Sequence, residues 1–167
     1  NVYKVDLSTD KFLNWRLNGF QTGLSVNTRN IVLITCRDSN ELREYTSSGK
    51  LLRTIKLLKS HVTYPYHSVQ LTDSQFVVCH HGPVEGVSKI NEQGQVLSTY
   101  RNSETSQVLN LPRYLTVTRN GSILVVDVNN NRILTLNSSL SNARDLSLTS
   151  DTVLSQPSCI YYDELNN

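Results

Sequence analysis

Residues 112–136 read Pro-Arg-Tyr-Leu-Thr-Val-Thr-Arg-Asn-Gly-Ser-Ile-Leu-Val-Val-Asp-Val-Asn-Asn-Asn-Arg-Ile-Leu-Thr-Leu. Tyr114–Thr118 alternates and is rich in β-formers. Asn120-Gly121 supplies a tight turn, because both residues tolerate positive φ. Ile123–Val126 is a short apolar run of the kind a strand shows when both its faces are buried. Asn129–Asn131 marks a second turn, since asparagine enters the left-handed region more readily than other residues with side chains. Arg132–Leu136 then runs back as a third strand. A meander of this kind cannot bury two faces by itself, so the pattern is expected to recur.

It does recur. A shift of 91 residues lays Gly23–Asn30 on Tyr114–Gly121 without a gap. The same register places Leu33-Ile34-Thr35-Cys36 on Leu124–Asp127 and Asn40-Glu41-Leu42 on Asn131-Arg132-Ile133. Another copy starts at Pro65, which matches Pro112, and sets Phe76–His80 on Ile123–Asp127. A last copy opens at Pro157 and runs through Ser158–Asp163. The starts at 21, 65, 112 and 157 are 44, 47 and 45 residues apart. A period of roughly 40–45 residues with four strands per unit is the signature of a propeller blade. The fourth strands are expected at Lys50–Leu57, Gln95–Tyr100 and Ala143–Leu148, each after a polar turn.

At these residues the chain resembles the NHL-repeat β-propellers. The pattern Pro-x-x-Leu-x-Val-x-x-x-Gly-x-Ile-x-Val-x-Asp-x-x-Asn-x-Arg-Ile fits 112–133 almost completely, and the copies at 23–57 and 65–100 are more diverged. The stretches ELREYTSSGKLLRTIKL (41–57), HSVQLTDSQFVVCHHG (67–82) and NNNRILTLNSSL (129–140) are similar to invertebrate NHL-type proteins, some of them tied to the tripartite-motif family. The expected fold is all-β, a propeller segment of NHL type with about three full blades and partial blades at both ends. Its divisions are 1–17 (partial), 21–57, 65–101, 112–148 and 157–167 (start of the next). Resemblance to six-bladed rings implies roughly 270 residues at this repeat length. Asn1–Leu7 and Ser158–Asp163 are therefore expected to have open strand edges, covered by the rest of a propeller or by another chain.

Composition narrows the function classes. The 167 residues carry 16 Lys and Arg against 14 Asp and Glu, a net charge of +2, and are 38% hydrophobic. That balance shows no clustered basic face for nucleic acid, and no apolar run approaches the roughly 18 residues that span a bilayer. The three cysteines, Cys36, Cys79 and Cys159, follow no disulfide or zinc spacing and read as free, buried thiols. Cys79-His80-His81, with His67 nearby, is the densest group of potential metal ligands. Neighbouring strand residues face opposite ways, however, so Cys79 and His80 do not chelate one ion, and both histidines are placed at the start of a loop. There is no Gly-x-Ser-x-Gly elbow and no phosphate loop. No catalytic, metal or cofactor residue is assigned, and the chain is read as a non-enzyme.

In the family arrangement the loops between second and third strands share one mouth of the ring. That makes Arg37, Asp38, Asn40, His81, Glu85, Asn129, Asn130 and Arg132 candidate partner-binding residues, since polar loops on a rigid scaffold carry binding. Tyr64, Tyr66, Tyr161 and Tyr162 are a candidate exposed aromatic set. Asn120 and Asn137 head glycosylation sequons that matter only in a secreted protein. The expected function is a protein-interaction scaffold with protein partners or self-association. The alternatives are an RNA-binding propeller of tripartite-motif type and a component of an extracellular assembly. The compartment stays open between cytoplasm, if tripartite-motif-like, and outside the cell.

Overall fold

The computed structural model describes residues 1–6, 11–82, 85–101, 108–146 and 153–163. Val2–Asp6 (β1) and Lys11–Trp15 (β2) form a two-stranded antiparallel sheet. Three four-stranded sheets follow in chain order. The first holds Gln21–Val26 (β3), Val32–Cys36 (β4), Glu41–Tyr45 (β5) and Leu51–Lys56 (β6). The second holds Pro65–Thr72 (β7), Gln75–His80 (β8), Gly86–Asn91 (β9) and Val96–Arg101 (β10). The third holds Pro112–Val117 (β11), Ile123–Asp127 (β12), Arg132–Leu136 (β13) and Ala143–Asp145 (β14). Every pairing is antiparallel between chain neighbours, so each sheet is a simple meander. The all-β propeller segment expected of the repeats is therefore the fold observed.

The second strand of each four-stranded sheet is buried on both faces, and this builds the core. On β8, Val77 and Cys79 point into a cluster shared with the third sheet, while Phe76 and Val78 point into one shared with the first. On β4, Leu33 joins the latter cluster and Ile34 and Cys36 face Val2 and Trp15 of the two-stranded sheet. Phe76, Val77, Val78 and Cys79 are all 0% exposed. Burying each such apolar side chain contributes roughly 2 kcal/mol.

The first strands sit side by side and are stitched across sheets. Thr22 Oγ1 donates to the Pro65 carbonyl and Ser25 Oγ to the Ser68 carbonyl, each at 2.8 Å and across 43 residues of sequence. Gly23 makes this approach feasible: a Cβ there would lie 2.6 Å from the Tyr66 carbonyl oxygen. The turns between third and fourth strands lean on the preceding sheet. A Cβ at Gly49 would meet the Trp15 ring at 2.7 Å, and one at Gly94 would meet the Lys56 carbonyl oxygen at 1.9 Å.

Four local expectations are corrected. Asn129–Asn131 is not a simple turn: Val128–Asn130 winds one 3-10 turn, closed by Asn131 in the left-handed region at φ 53°. His80 is a strand residue at 1% exposure and does not open the loop. Ser158–Asp163 joins no ladder, because no second strand stands beside it among the described residues. Cys159 is exposed, since the strand that would have buried it is not formed. Leu7, most of the 102–110 linker, and Leu148 lie outside the described residues.

All three thiols are free. Burial pushes the Cys79 thiol up to about 12 and raises that of Cys36. Since the thiolate is the reactive form, a chromogenic disulfide reagent should titrate one thiol promptly in the native chain, Cys159, and three after denaturation. Prompt reaction of two or more native thiols would contradict this packing.

Candidate functional site

The candidate residues divide into two groups with different work. Asn40, Glu85 and Asn131 occupy one repeated place, the last residue before the third strand. Asn40 Nδ2 donates to the carbonyls of Leu57 and Val62 at 3.0 and 2.9 Å. Glu85 Oε2 accepts from the Leu111 backbone N–H at 2.5 Å, and Asn131 Oδ1 from that of Gln156 at 2.8 Å. Each therefore ties the loop to the connection leaving its own sheet for the next. Asn40 is 3% exposed, so its amide serves the scaffold and faces no partner.

Asn129, Asn130 and Arg132 fold inward too. Asn129 Nδ2 donates to Asn110 Oδ1 at 2.9 Å, and Asn130 Nδ2 reaches the Val108 carbonyl at 2.6 Å and Asp127 Oδ2 at 2.8 Å. Arg132 donates through Nε to Asp127 Oδ2 at 2.8 Å and through its terminal nitrogens to Val108 and Asp145. Asp127 is 0% exposed, and its other oxygen accepts from the Asn110 N–H at 2.7 Å. Asp127 thus pins the 108–110 connection. Replacing it by asparagine turns one acceptor oxygen into a donor facing other donors. The expected loss is about 2 kcal/mol, the scale of a charge-assisted hydrogen bond. The shift in urea midpoint measures it, and an unchanged midpoint would refute the role.

Arg37, Asp38 and His81 face outward, and the structure adds three residues the loop reading left out. Arg37, His81 and Val128 are equivalent, each directly after a second strand. Their backbone N–H groups donate to the carbonyls of Phe20, Tyr64 and Leu111, which sit just before the first strands. This fold-back carries Arg37 to the next sheet. Its guanidinium carbon lies 5.1 Å from the centroids of both the Tyr64 and Tyr66 rings. Arg113, from the third sheet, approaches the Tyr66 ring at 5.8 Å. His81 meets the same ring edge-on, with centroids 6.4 Å apart. Its Nδ1 is 2.6 Å from Glu85 Oε1, an ion-pair separation without hydrogen-bond alignment. One tyrosine ring therefore gathers side chains from three consecutive sheets. Tyr64 and Tyr66 were legible as candidate aromatics, but Arg113 was not singled out. The match of Pro112 to Pro65, which lays Arg113 on Tyr66, is the signal that could have found it.

The two sequon asparagines are exposed. Asn120 Oδ1 accepts from Ser122 N at 3.2 Å, and Asn137 Oδ1 from Ser141 N at 2.9 Å. Each closes its own turn through the oxygen, and the Asn137 amide nitrogen donates in addition to Ser141 Oγ at 3.0 Å. Among the described residues, no group of three or more His, Cys, Asp or Glu side chains is placed to hold a metal ion.

Comparison with solved structures places this architecture. A chain of a nidogen/laminin complex superposes with a TM-score of 0.68 at 14% identity, over 95% of this chain and 59% of that one. The WD40 β-propeller domain of Doa1 matches with a TM-score of 0.55 at 18% identity, over 81% of this chain and 43% of that one. The fold is a β-propeller. Virginiamycin B lyase from Staphylococcus aureus also matches, with a TM-score of 0.58 at 19% identity, over 83% of this chain and 44% of the lyase. The chain thus spans roughly half the length of the propellers it resembles. No family model and no curated protein matches the sequence. At these identities the likeness concerns the fold alone, because propellers host unrelated activities.

Proposed function

We propose that this propeller is a non-catalytic protein-interaction module of NHL type, and that it binds its partner at the mouth formed by Arg37, Tyr64, Tyr66, His81 and Arg113. The observation that carries the reading is the convergence of three sheets on the Tyr66 ring, with the guanidinium carbons of two arginines 5.1 and 5.8 Å from its centroid. Tyrosine and arginine are, with tryptophan, enriched at binding hot spots, tyrosine because its rigid ring buries a large surface and arginine because its guanidinium offers several donors. The cross-sheet hydrogen bonds and the Asn40, Glu85 and Asn131 latches hold these side chains on a stiff frame. Such preorganisation reduces the entropy lost on binding. A role in an assembly also agrees with the company of a nidogen/laminin complex and a WD40 domain among the structural neighbours. The lyase neighbour raises the enzyme reading. Against it, His67 and His80 are buried at 3% and 1% exposure, packed away from any substrate.

The test is a displayed library of random linear peptides panned on the immobilised 167-residue chain. The expected outcome is enrichment of a consensus that the Tyr66→Ala chain fails to enrich. Equal enrichment by the two chains would place binding elsewhere.

A further inference from the structure

We infer that the Tyr66 mouth recognises an acidic segment of a protein partner, with Arg37 and Arg113 receiving a carboxylate from an extended peptide. This rests on the binding role proposed above and names the chemistry of the occupant.

The argument begins with the arginines that already have partners. Four arginines are half-buried among the described residues: Arg37, Arg43, Arg53 and Arg132. Arg43 is paired with Glu41, Arg53 with Glu44 and Glu92, and Arg132 with Asp127 and Asp145. Arg37 alone has no carboxylate. The tyrosines approach it through the guanidinium carbon at 5.1 Å, and among the described residues none accepts a hydrogen bond from its side-chain nitrogens. Arg113 is likewise placed over Tyr66, with no side-chain hydrogen bond among the described residues. A guanidinium carries five N–H donors in a planar fork that fits a carboxylate through two parallel bonds. The ring contacts hold each guanidinium over Tyr66 while its N–H donors stay unpaired among the described residues, which is the state of a receptor awaiting an acceptor.

The local carboxylates do not fill that role. Glu85 is engaged by His81 and by the Leu111 N–H. Asp38 is exposed and forms no ion pair among the described residues. It also sets a limit on the ligand, because a second negative charge beside Arg37 disfavours a polyanion. Two guanidiniums centred on one ring match one or two carboxylates. A nucleic acid strand would instead need a basic track under successive phosphates, and the net charge of +2 supplies none. Tyr64, 48% exposed, offers an apolar ring beside the charge for the residue flanking the acid.

The experiment uses the consensus peptides enriched on the 167-residue chain, synthesised with capped ends. Affinity is measured by fluorescence anisotropy for each peptide and for its Asp→Asn or Glu→Gln isostere, against wild-type, R37Q, R37K and R113Q chains. Urea midpoints of the variants confirm folding. The expected result is an Asp or Glu at a fixed position and a loss of about tenfold or more with R37Q, the scale of a charge-assisted contact. The isostere should lose as much on wild type and almost nothing further on R37Q. R37K, which keeps the charge without the fork, should fall between. Enriched peptides that lack an acid yet depend on Tyr66 would overturn the acidic assignment and leave the binding role standing. Acidic peptides indifferent to both arginines would do the same. Absence of any enriched peptide would overturn both. Decauridylate bound more tightly than every peptide, with steep salt dependence, would replace the carboxylate by phosphate.

Discussion

Replacing Gly94 by alanine should cost this protein about 4 kcal/mol, far more than the same change at Gly121. Both glycines lie in the left-handed region, Gly94 at φ 77° and Gly121 at φ 79°. An alanine there carries a backbone penalty of roughly 1–2 kcal/mol. Around Gly121 a Cβ would meet nothing within 4 Å, so that penalty is the whole effect. At Gly94 the Cβ would sit 1.9 Å from the Lys56 carbonyl oxygen and 3.0 Å from its carbon, both main-chain atoms at the end of β6. The turn cannot tilt to relieve the overlap without losing its own bonds: Gly94 N–H donates to the Asn91 carbonyl at 3.0 Å, and Asn91 Oδ1 accepts from Gln95 N at 2.9 Å. The second sheet must back away from the first and loosen the cluster around Phe76 and Ile90. Forced overpacking adds roughly 1–3 kcal/mol. Guanidinium unfolding of the two variants separates the contributions. Equal losses at 94 and 121 would show that the approach to Lys56 is not tight.

How much of this was legible beforehand follows from the range of each interaction. The turns and double-sided strands could be read because proline, Asn-Gly and apolar runs act within a few residues. Ile123–Asp127 is fully buried, as the run Ile-Leu-Val-Val predicts. The site was harder. Repeat alignment paired Asn40 with Asn131, but not the inward turn of the Asn40 amide, whose acceptors are main-chain carbonyls at Leu57 and Val62. A carbonyl acceptor leaves no residue-type signature. His80 follows a cysteine and precedes another histidine, so polarity pointed to a loop. Its strand position is answered by the Ser88 hydroxyl on the adjoining strand, which is in turn bonded to Thr99 one strand further out. Ser158–Asp163 shows the opposite case, β-prone residues with no neighbouring strand to pair with among the described residues.

Acid should unfold the chain well before its carboxylates titrate, and the cause lies in His67 and His80. His67 Nε2 contacts the Leu24 carbonyl at 3.2 Å, and its ring stacks on Tyr114 with centroids 3.9 Å apart. His80 Nε2 contacts Ser88 Oγ at 2.9 Å, and that hydroxyl continues to Thr99 at 3.0 Å. In both rings Nδ1 is buried without an aligned hydrogen bond, and at His67 the Leu24 and Leu115 backbone groups favour a second proton less than burial opposes it. Burial lowers each histidine from 6.5 to about 4, with the Arg101 charge adding to the effect at His80. Below pH 6.5 the unfolded chain therefore takes up protons that the folded chain refuses. Stability is complete above pH 6.5, declines as pH falls, and is lost by pH 4. The full contribution is about 3 kcal/mol for each ring. Urea midpoints measured between pH 7.5 and 4.5 should fall steadily, in a window above the ordinary carboxylate range. Gln at position 67 or 80 should lower the midpoint at pH 7.5 but make the decline shallower, since each substitution removes one refused proton. A wild-type midpoint that stays level from pH 6.5 to 4.5, or a slope untouched by both substitutions, would show that these rings accept protons in the folded state.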